Sequence, residues 1–139
     1  MDPAADLWES VNCHCLAARR TARQITRDFE AMLRPHGLRA TQFSILAALT
    51  LKGRTPVSEL AEMLGLERTS LTRSAEVVRR NGWIAMTESA DARERPLRVT
   101  AAGRRKLKAA FPAWREAQQA VAGKIARGDY RKTTRRRNP

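Results

Sequence analysis

The chain has 139 residues, a length typical of one domain, and its 27 Lys and Arg against 14 Asp and Glu give a formal net charge of +13. Residues 127–139 contain six Lys and Arg and one Asp, so a net charge of +8 remains on the rest of the chain. A cationic surface of this size favours a polyanion as partner, with a generic solubilising charge as the plainer alternative.

No apolar run approaches the roughly 20 residues that a membrane-spanning helix needs. The first ten residues include Asp2, Asp6 and Glu9 and lack the basic-then-apolar order of a secretory signal. Two cysteines in such a chain are interpreted as thiols and not as a disulfide framework. We therefore expect a cytoplasmic protein that does not bind membranes.

The sequence also lacks the patterns of a catalytic site. Its two histidines have no Ser or Asp arranged for a triad, and it has neither a glycine-rich phosphate loop nor the ligand spacing of a zinc site. We therefore predict that the chain is not an enzyme and holds no metal or cofactor.

The first predicted element is one long helix over about 6–33, which Pro35 and Gly37 end. Its apolar residues recur at steps of three or four, as on one face of a helix. These residues are Leu7, Val11, Cys15, Ala18, Ala22, Ile25, Phe29 and Met32.

Three shorter helices are predicted next. Thr41 is the expected cap of a helix that extends to about Leu51. Thr55 and Pro56 are interpreted as an N-cap followed by proline at the first helical position, and they open a helix over 57–64. Gly65 provides a tight turn into a helix over about 67–81. Two short helices joined in this way form a helix-turn-helix unit.

The helix over 67–81 has two different faces. Leu71, Ala75 and Val78 are spaced by four and three and predict its inward face. Its first turns carry polar side chains that can donate and accept hydrogen bonds, as base edges and phosphates require. The predicted outward-facing residues are Arg68, Thr69, Ser70, Thr72, Arg73 and Glu76.

A β-hairpin is predicted after this helix. The segments 83–87 and 97–99 are predicted strands, and the charged stretch between them places Arg93 and Arg95 near the tip. The major groove of DNA accepts a helix, while phosphates and the narrow minor groove attract arginine. The order of helix, strand, charged tip and strand predicts a winged helix-turn-helix that touches a duplex in two places.

Thr100 is the expected cap of a last helix over about 101–126, with a kink at Pro112. Residues 127–139 are predicted to be a flexible basic tail. The helix carries a nearly heptad apolar stripe. Its members are Leu107, Phe111, Trp114, Val121 and Ile125.

The outer helices predict a homodimer. Leaving their apolar stripes in water would forfeit about 1.5–3 kcal/mol for each large side chain, and a second copy of the chain would cover them. Such a dimer places two reading helices about one duplex turn apart, on a pseudo-palindromic site. The alternative is that the two helices pack only within one chain.

The predicted fold class is therefore mostly α with a small β-hairpin wing: a winged helix-turn-helix with long N- and C-terminal dimerisation helices. A single domain over 1–126 would contain a DNA-binding lobe at about 38–100.

Over about 11–125, the chain resembles the MarR-type (multiple antibiotic resistance) regulators. The order and spacing of several short motifs carry the resemblance together. They span Gly37 to Phe43, Ser58 to Ala61, Leu64 to Arg73, Asn81 to Ile84, Asp91 to Arg93 and Leu97 to Gly103. The resemblance implies a dimeric transcription regulator, usually a repressor, that releases double-stranded DNA when a small molecule or an oxidant acts near the hinge between dimer helices and reading lobes.

The resemblance also implies roles for individual residues. Arg93 is similar to the wing arginine that enters the minor groove, with Asp91 holding it, while Arg95 and Arg98 resemble backbone neighbours. Family members commonly end in a further helix that completes the dimer, whereas the corresponding region here is short and basic. The major-groove face implied by position consists of Thr69, Ser70, Thr72 and Arg73.

Cys13, His14 and Cys15 suggest metal or redox chemistry. Helix neighbours two apart point to nearly opposite sides, so the two thiols should neither share a metal nor join, unless they bridge to another chain or the first turn is unwound. Cys15 resembles the cysteine that is oxidised in the organic-hydroperoxide-sensing branch of the family. That branch has tyrosines bonded to its thiol, and the matching positions in this chain are Arg19 and Phe29. Arg19 could stabilise a thiolate. A plain buried cysteine is the preferred interpretation.

Three functions stay open. The leading hypothesis is a sequence-specific regulator of double-stranded DNA, the second a non-specific nucleic-acid packaging protein, and the third a cysteine-based redox switch. Trp8 and Trp114 are candidates to line a crevice for an apolar or aromatic effector, although core packing accounts for both equally well.

Overall fold

The computed structural model describes residues 3–88 and 94–130 of the chain. Six α-helices and one two-stranded sheet lie within these ranges, with two short 3-10 helices, at Trp8–Asn12 and Arg34–His36. The elements are α1 Pro3–Leu7, α2 His14–Leu33, α3 Ala40–Lys52, α4 Val57–Met63, α5 Arg68–Arg80, β1 Ile84–Met86, β2 Leu97–Val99 and α6 Ala101–Arg127.

The N-terminal segment is not the single long helix predicted from about residue 6. α1 is followed by a 3-10 helix, and Cys13 is extended, with φ −61° and ψ 125°. The Ser10 hydroxyl donates to the Leu7 carbonyl at 2.6 Å, and the Cys13 amide donates to Ser10 at 3.1 Å. These short-range bonds compete with the α-helical pattern, so the long helix begins only at His14.

Helices α4 and α5 form the predicted helix-turn-helix, and α3 precedes them as expected, but two predicted caps are wrong. α3 begins one residue before Thr41, and the amide of its N-cap residue, Arg39, donates to Gln42 Oε1 at 3.0 Å. Pro56 is the N-cap of α4, not its first residue. Thr55 instead pairs with β2, since the Thr55 amide donates to the Leu97 carbonyl at 3.0 Å and the Leu97 amide donates back at 2.8 Å.

The hairpin is antiparallel, with Ile84 opposite Val99 and Met86 opposite Leu97. Ile84, Leu97 and Val99 are buried, whereas Arg98 is exposed. This alternation puts one face of the sheet on the core. Together with the bridge to Thr55, it fixes the hairpin against α3 and α5.

One apolar core holds the helix-turn-helix and hairpin together. α3 lies at its centre and contributes three side chains with no exposed surface. The inward face of α5 packs into the same core, which anchors α5 to the lobe. The fully or almost fully buried large side chains are Leu33, Ile45, Leu46, Leu49, Leu60, Leu71, Val78 and Ile84.

α6 is joined closely to the lobe at its start. As predicted, Thr100 caps it: the Gly103 amide donates to Thr100 Oγ1 at 3.1 Å, and the Thr100 hydroxyl donates to the Gly82 carbonyl at 2.6 Å. α6 continues through Pro112, so this proline does not end the helix, and a kink there stays a prediction.

The long helices α2 and α6 pack on each other. Asp28 Oδ2 accepts from Lys124 Nζ at 3.0 Å and from the Tyr130 hydroxyl at 2.6 Å. Parts of the predicted apolar stripes remain exposed in the single chain. These side chains are Leu7, Val11, Phe111 and Ile125, which are 36–67% exposed.

Candidate nucleic-acid interface

The outer face of α5 carries the predicted reading residues. Leu71, Ala75 and Val78 are buried, as their spacing predicted. The five predicted site residues of this helix are all exposed: Arg68, Thr69, Ser70, Thr72 and Arg73. Their exposure confirms the two faces of the helix, while their contact with DNA stays a prediction.

Thr72 is the most constrained of these side chains. Its hydroxyl donates to the Arg68 carbonyl one turn earlier, at 2.8 Å. Since the hydroxyl proton is used inside the helix, Thr72 offers its methyl group and oxygen lone pairs outward. It is therefore suited to a thymine methyl or to a donor such as an amino group.

Two concave surfaces lie along α5. The first, of about 480 Å³, lies between α5 and the hairpin, and Arg68, Thr72, Arg79 and Arg95 are among its lining residues. The second, of about 580 Å³, follows the outer face of the helix. It is lined by Arg68, Thr69, Thr72, Arg73, Glu76, Val77 and Arg80.

Arg95 brings the hairpin into the first of these surfaces. It is exposed and has φ 36°, in the left-handed region that costs energy for a residue with a Cβ. The Val57 amide donates to the Glu94 carbonyl at 3.2 Å and ties this part of the hairpin to α4. The structure thus places Arg95 beside α5, whereas Arg93 and its expected partner Asp91 lie outside the described residues.

Glu76 organises the charges in the middle of α5. Its Oε2 accepts from Arg79 Nε at 2.9 Å, its Oε1 accepts from Arg79 Nη2 at 2.6 Å, and Arg80 Nε lies 3.4 Å from Oε1. The hydrogen bonds from Arg79 are the main reason that the pKa of Glu76 is lowered. The apolar spacing of α5 indicated only that Glu76 faces outward, although its spacings of three and four from two arginines signal such pairs.

The cysteines are exposed, so the interpretation of plain buried cysteines is wrong. Cys13 is extended rather than helical, and it is exposed in the part of the chain that the structure describes. Backbone amides of Leu16 and Cys15 donate to the Cys13 thiolate and lower its pKa. Arg19 Nη2 lies 3.7 Å from Cys15 Sγ, which confirms the expected approach of that guanidinium one turn along.

The two tryptophans are not equivalent. Trp114 stacks on Phe43 at 5.7 Å and on Phe111 at 5.6 Å between ring centroids, and it lines an open cavity of about 500 Å³ between α3, α4 and α6. Trp8 is 64% exposed and is not among the lining residues of that cavity. Of the two tryptophans, Trp114 is therefore the one that lines this cavity.

Within residues 3–88 and 94–130, no three His, Cys, Asp or Glu side chains are grouped so that they could hold a metal ion. Over the same residues, every helix is too short or too polar to cross a bilayer.

Comparisons with known proteins agree with this geometry. A family model described as winged helix-turn-helix DNA-binding matches residues 38–85. The transcriptional regulator MosR of M. tuberculosis, solved in complex with DNA, is 41% identical over 88% of this chain and 93% of that chain, with a TM-score of 0.73. The HTH-type transcriptional regulator YwoH of Bacillus subtilis is 30% identical over 91 residues, which are 65% of this chain and 66% of YwoH.

A transcriptional regulator of the MarR family from Silicibacter pomeroyi has the same fold. It superposes with a TM-score of 0.62 over 84% of this chain and 79% of that chain, at 19% identity.

Proposed function

Because this chain belongs to the MarR family of winged helix-turn-helix DNA-binding transcription regulators, we propose that it is a homodimeric repressor of a specific double-stranded DNA site. The observation that carries the proposal is the position of Arg95 on the same concave surface as the exposed polar face of α5. A helix and an arginine side by side fit a major groove and the phosphates next to it.

In this proposal α5 lies in the major groove. Thr69, Ser70, Thr72 and Arg73 face the base edges, where arginine suits guanine and a threonine methyl suits thymine. Arg68 and Arg95 neutralise phosphates on either side of the groove. MosR, the relative solved with DNA, supports this partner.

A second copy of the chain would cover the exposed apolar residues of the outer segments. Val11 and Phe111 lie on the two elements that the sequence pattern assigned to dimerisation, and both remain more than a third exposed. A two-fold dimer would repeat α5 at a spacing of about one duplex turn and thus select a pseudo-palindromic site.

The test is a salt titration on two duplexes. Footprinting on the DNA around the chain's own gene first defines a bound site, and the affinity is then measured for that site and for a scrambled duplex of equal length. A specific regulator should prefer the first by about 10³-fold or more. Equal affinities with parallel salt slopes would instead indicate that the chain is a non-specific nucleic-acid packaging protein.

Release by thiol oxidation is a second part of the proposal, and the exposure of Cys15 beside Arg19 favours it. The Cys15 thiolate would attack the outer oxygen of an organic hydroperoxide, breaking the O–O bond. The outer oxygen stays on sulfur as a sulfenic acid, and the alkoxide that leaves takes a proton from solvent to become an alcohol. The added oxygen would then disturb the start of α2.

The matching experiment measures DNA affinity before and after treatment with cumene hydroperoxide. Wild-type protein should lose affinity, Cys15→Ser should keep it, and Cys13→Ser separates the role of the neighbouring thiol. If the wild-type affinity does not change, oxidation is not the signal.

A small apolar or aromatic effector is the other route to release, and the cavity beside Trp114 supports it. Benzoate is a suitable first probe, because its ring could pack on Phe43 and Trp114. Binding should quench tryptophan fluorescence and weaken DNA affinity, and a Trp114→Leu variant should lose both responses. Benzoate that leaves wild-type fluorescence and affinity unchanged would argue against an aromatic acid.

A further inference from the structure

The carboxylate of Glu76 is an unexpected group on a surface proposed to face DNA. It lies one turn after Thr72 and Arg73 on α5 and lines both concave surfaces along the helix. A carboxylate at such a position repels phosphate groups and by itself would weaken DNA binding.

Both oxygens of this carboxylate are already engaged. Arg79 binds them in a bidentate pair, and Arg80 approaches the oxygen that Arg79 Nη2 also contacts. Bidentate arginine–carboxylate pairs are the stronger and geometrically more specific kind of ion pair. The single negative charge of Glu76 therefore offsets part of the charge of Arg79 and Arg80 before any DNA arrives, although 47% and 72% of their side-chain surfaces are exposed.

The compensation has a direct consequence for binding to the DNA backbone. Each cation that neutralises a phosphate releases a counterion and strengthens binding without regard to sequence. A guanidinium that is already paired with a carboxylate contributes less to this term. The second half of α5 thus adds less non-specific affinity than its two arginines would alone.

We propose that Glu76 is a specificity-determining residue that masks Arg79 and Arg80 from DNA phosphates and leaves the choice of site to the first two turns of α5. This inference rests on the proposed DNA-binding function and deepens it. The role of Glu76 is to lower the affinity of the protein for DNA of any sequence, which raises the ratio of specific to non-specific binding.

A competing role for Glu76 is base reading, because a carboxylate can accept from the amino group of cytosine. Both of its oxygens accept from guanidinium groups in the structure, so this contact would require the Arg79 pair to open. The two roles predict opposite effects of removing the charge, which makes them separable.

The experiment compares full-length wild type with Glu76→Gln on the footprinted site and on a scrambled duplex, over a range of salt concentrations. Masking predicts that the scrambled duplex is bound roughly 3- to 10-fold more tightly by the variant. The salt slope should become steeper by about 1 per subunit, because one masking charge is removed, and the ratio of the two affinities should fall. Glu62→Gln is the matched control, because it removes an equal charge from an exposed position on α4.

A double-mutant cycle with Arg79→Ala identifies the masked group. In the wild-type background, Arg79→Ala should leave the slope on scrambled DNA nearly unchanged. In the Glu76→Gln background, it should remove most of the added slope. Circular dichroism melting of each variant separates these effects from a loss of folding.

Two results would overturn the inference. One is a Glu76→Gln slope identical to that of wild type. The other is a selective loss of affinity for the footprinted site, which would assign Glu76 to base reading. A wild-type protein that binds both duplexes equally would refute site-specific regulation instead, and its change in slope on substitution would still decide whether masking occurs.

Discussion

Arg73 and Thr72 lie side by side on the exposed face of α5, with the Thr72 hydroxyl bonded to its own helix. We expect Arg73→Ala and Thr72→Ala to relax base preference by about 1–3 kcal/mol at the positions they contact. Binding-site selection on randomised duplexes measures this. Arg34→Ala, an exposed substitution outside the helix-turn-helix, should leave the selected sequence unchanged. If both α5 variants keep the full base preference of wild type, the surface that reads the bases lies elsewhere.

Gly103 lies so close to its neighbours that there is no room for a side chain. A Cβ at this position would be 2.0 Å from the Trp83 carbonyl oxygen and 2.9 Å from Val99 Cγ2. Gly103→Ala must therefore push the start of α6 away from the lobe, and we expect a loss of roughly 1–3 kcal/mol or more in the free energy of unfolding. Urea denaturation measures this loss.

Gly123 provides the matched control in the same helix. A Cβ there would meet only the end of the Arg127 side chain, at 3.2 Å, which can move aside. Gly123→Ala should stabilise the protein by up to about 1 kcal/mol through helix propensity. Equal effects at the two glycines would contradict the close contact at Gly103.

Residue roles could be predicted from the sequence only where the cause is local. The two faces of α5 could be predicted from the spacing of Leu71, Ala75 and Val78. The capping role of Thr100 could be predicted from the preference of threonine for the N-cap. Tyr130 was missed because its partner, Asp28, is 102 positions away and no short pattern signals a bond of that range.

At the level of elements, Tyr130 and Lys124 hold the end of α6 against α2 through one carboxylate. The hydroxyl of Tyr130 is the main reason that the pKa of Asp28 is lowered, while burial and then Asp28 raise the pKa of Tyr130 to about 12. We expect Tyr130→Phe to lower the free energy of unfolding at pH 7 by about 1 kcal/mol, the loss typical of one hydrogen bond.

The pH dependence of this effect follows from the two shifts. The lowered pKa of Asp28 gives stability that is present above the normal carboxyl range and is lost as the pH falls through the lowered value. The raised pKa of Tyr130 gives stability that is complete below pH 10 and is lost as the pH rises towards about 12. The difference between wild type and Tyr130→Phe in urea denaturation should therefore shrink in acid and above pH 10. A difference that is constant across this range would contradict the pair.

The middle elements were predictable because their signals agree. Glycine turns, apolar spacing and strand alternation all indicate a helix-turn-helix followed by a hairpin. The N-cap of α4 was mispredicted because backbone pairing between Thr55 and Leu97 outweighs the preference of threonine for the N-cap, although the helix begins at Val57 as expected. The break before α2 was missed because the apolar periodicity continues across a segment that is not α-helical.

For the whole molecule, the proposed dimer predicts the effect of a charge on the outer helices. Phe111 is 41% exposed on α6, and Phe111→Glu would place a carboxylate in the proposed subunit interface. Sedimentation equilibrium should show dissociation of the variant at concentrations where wild type is a dimer. DNA affinity should fall with it, since one reading helix binds less tightly than two.

Leu51→Glu is the control for this change. Leu51 is 89% exposed and lies on α3, outside the two long helices. The control variant should remain a dimer. If Phe111→Glu also sediments as wild type does, the two-fold contact lies on another surface.

The reciprocal hydrogen bonds between Thr55 and Leu97 have a consequence for how such a protein could detach from its operator. They tie the hairpin to the segment that opens α4, and α4 packs on α5, so in the proposed complex α5 and Arg95 should leave the DNA together. An inducing signal must instead alter the distance or tilt between whole lobes. Footprints at the centre and edges of each half-site should then fade together as inducer is added.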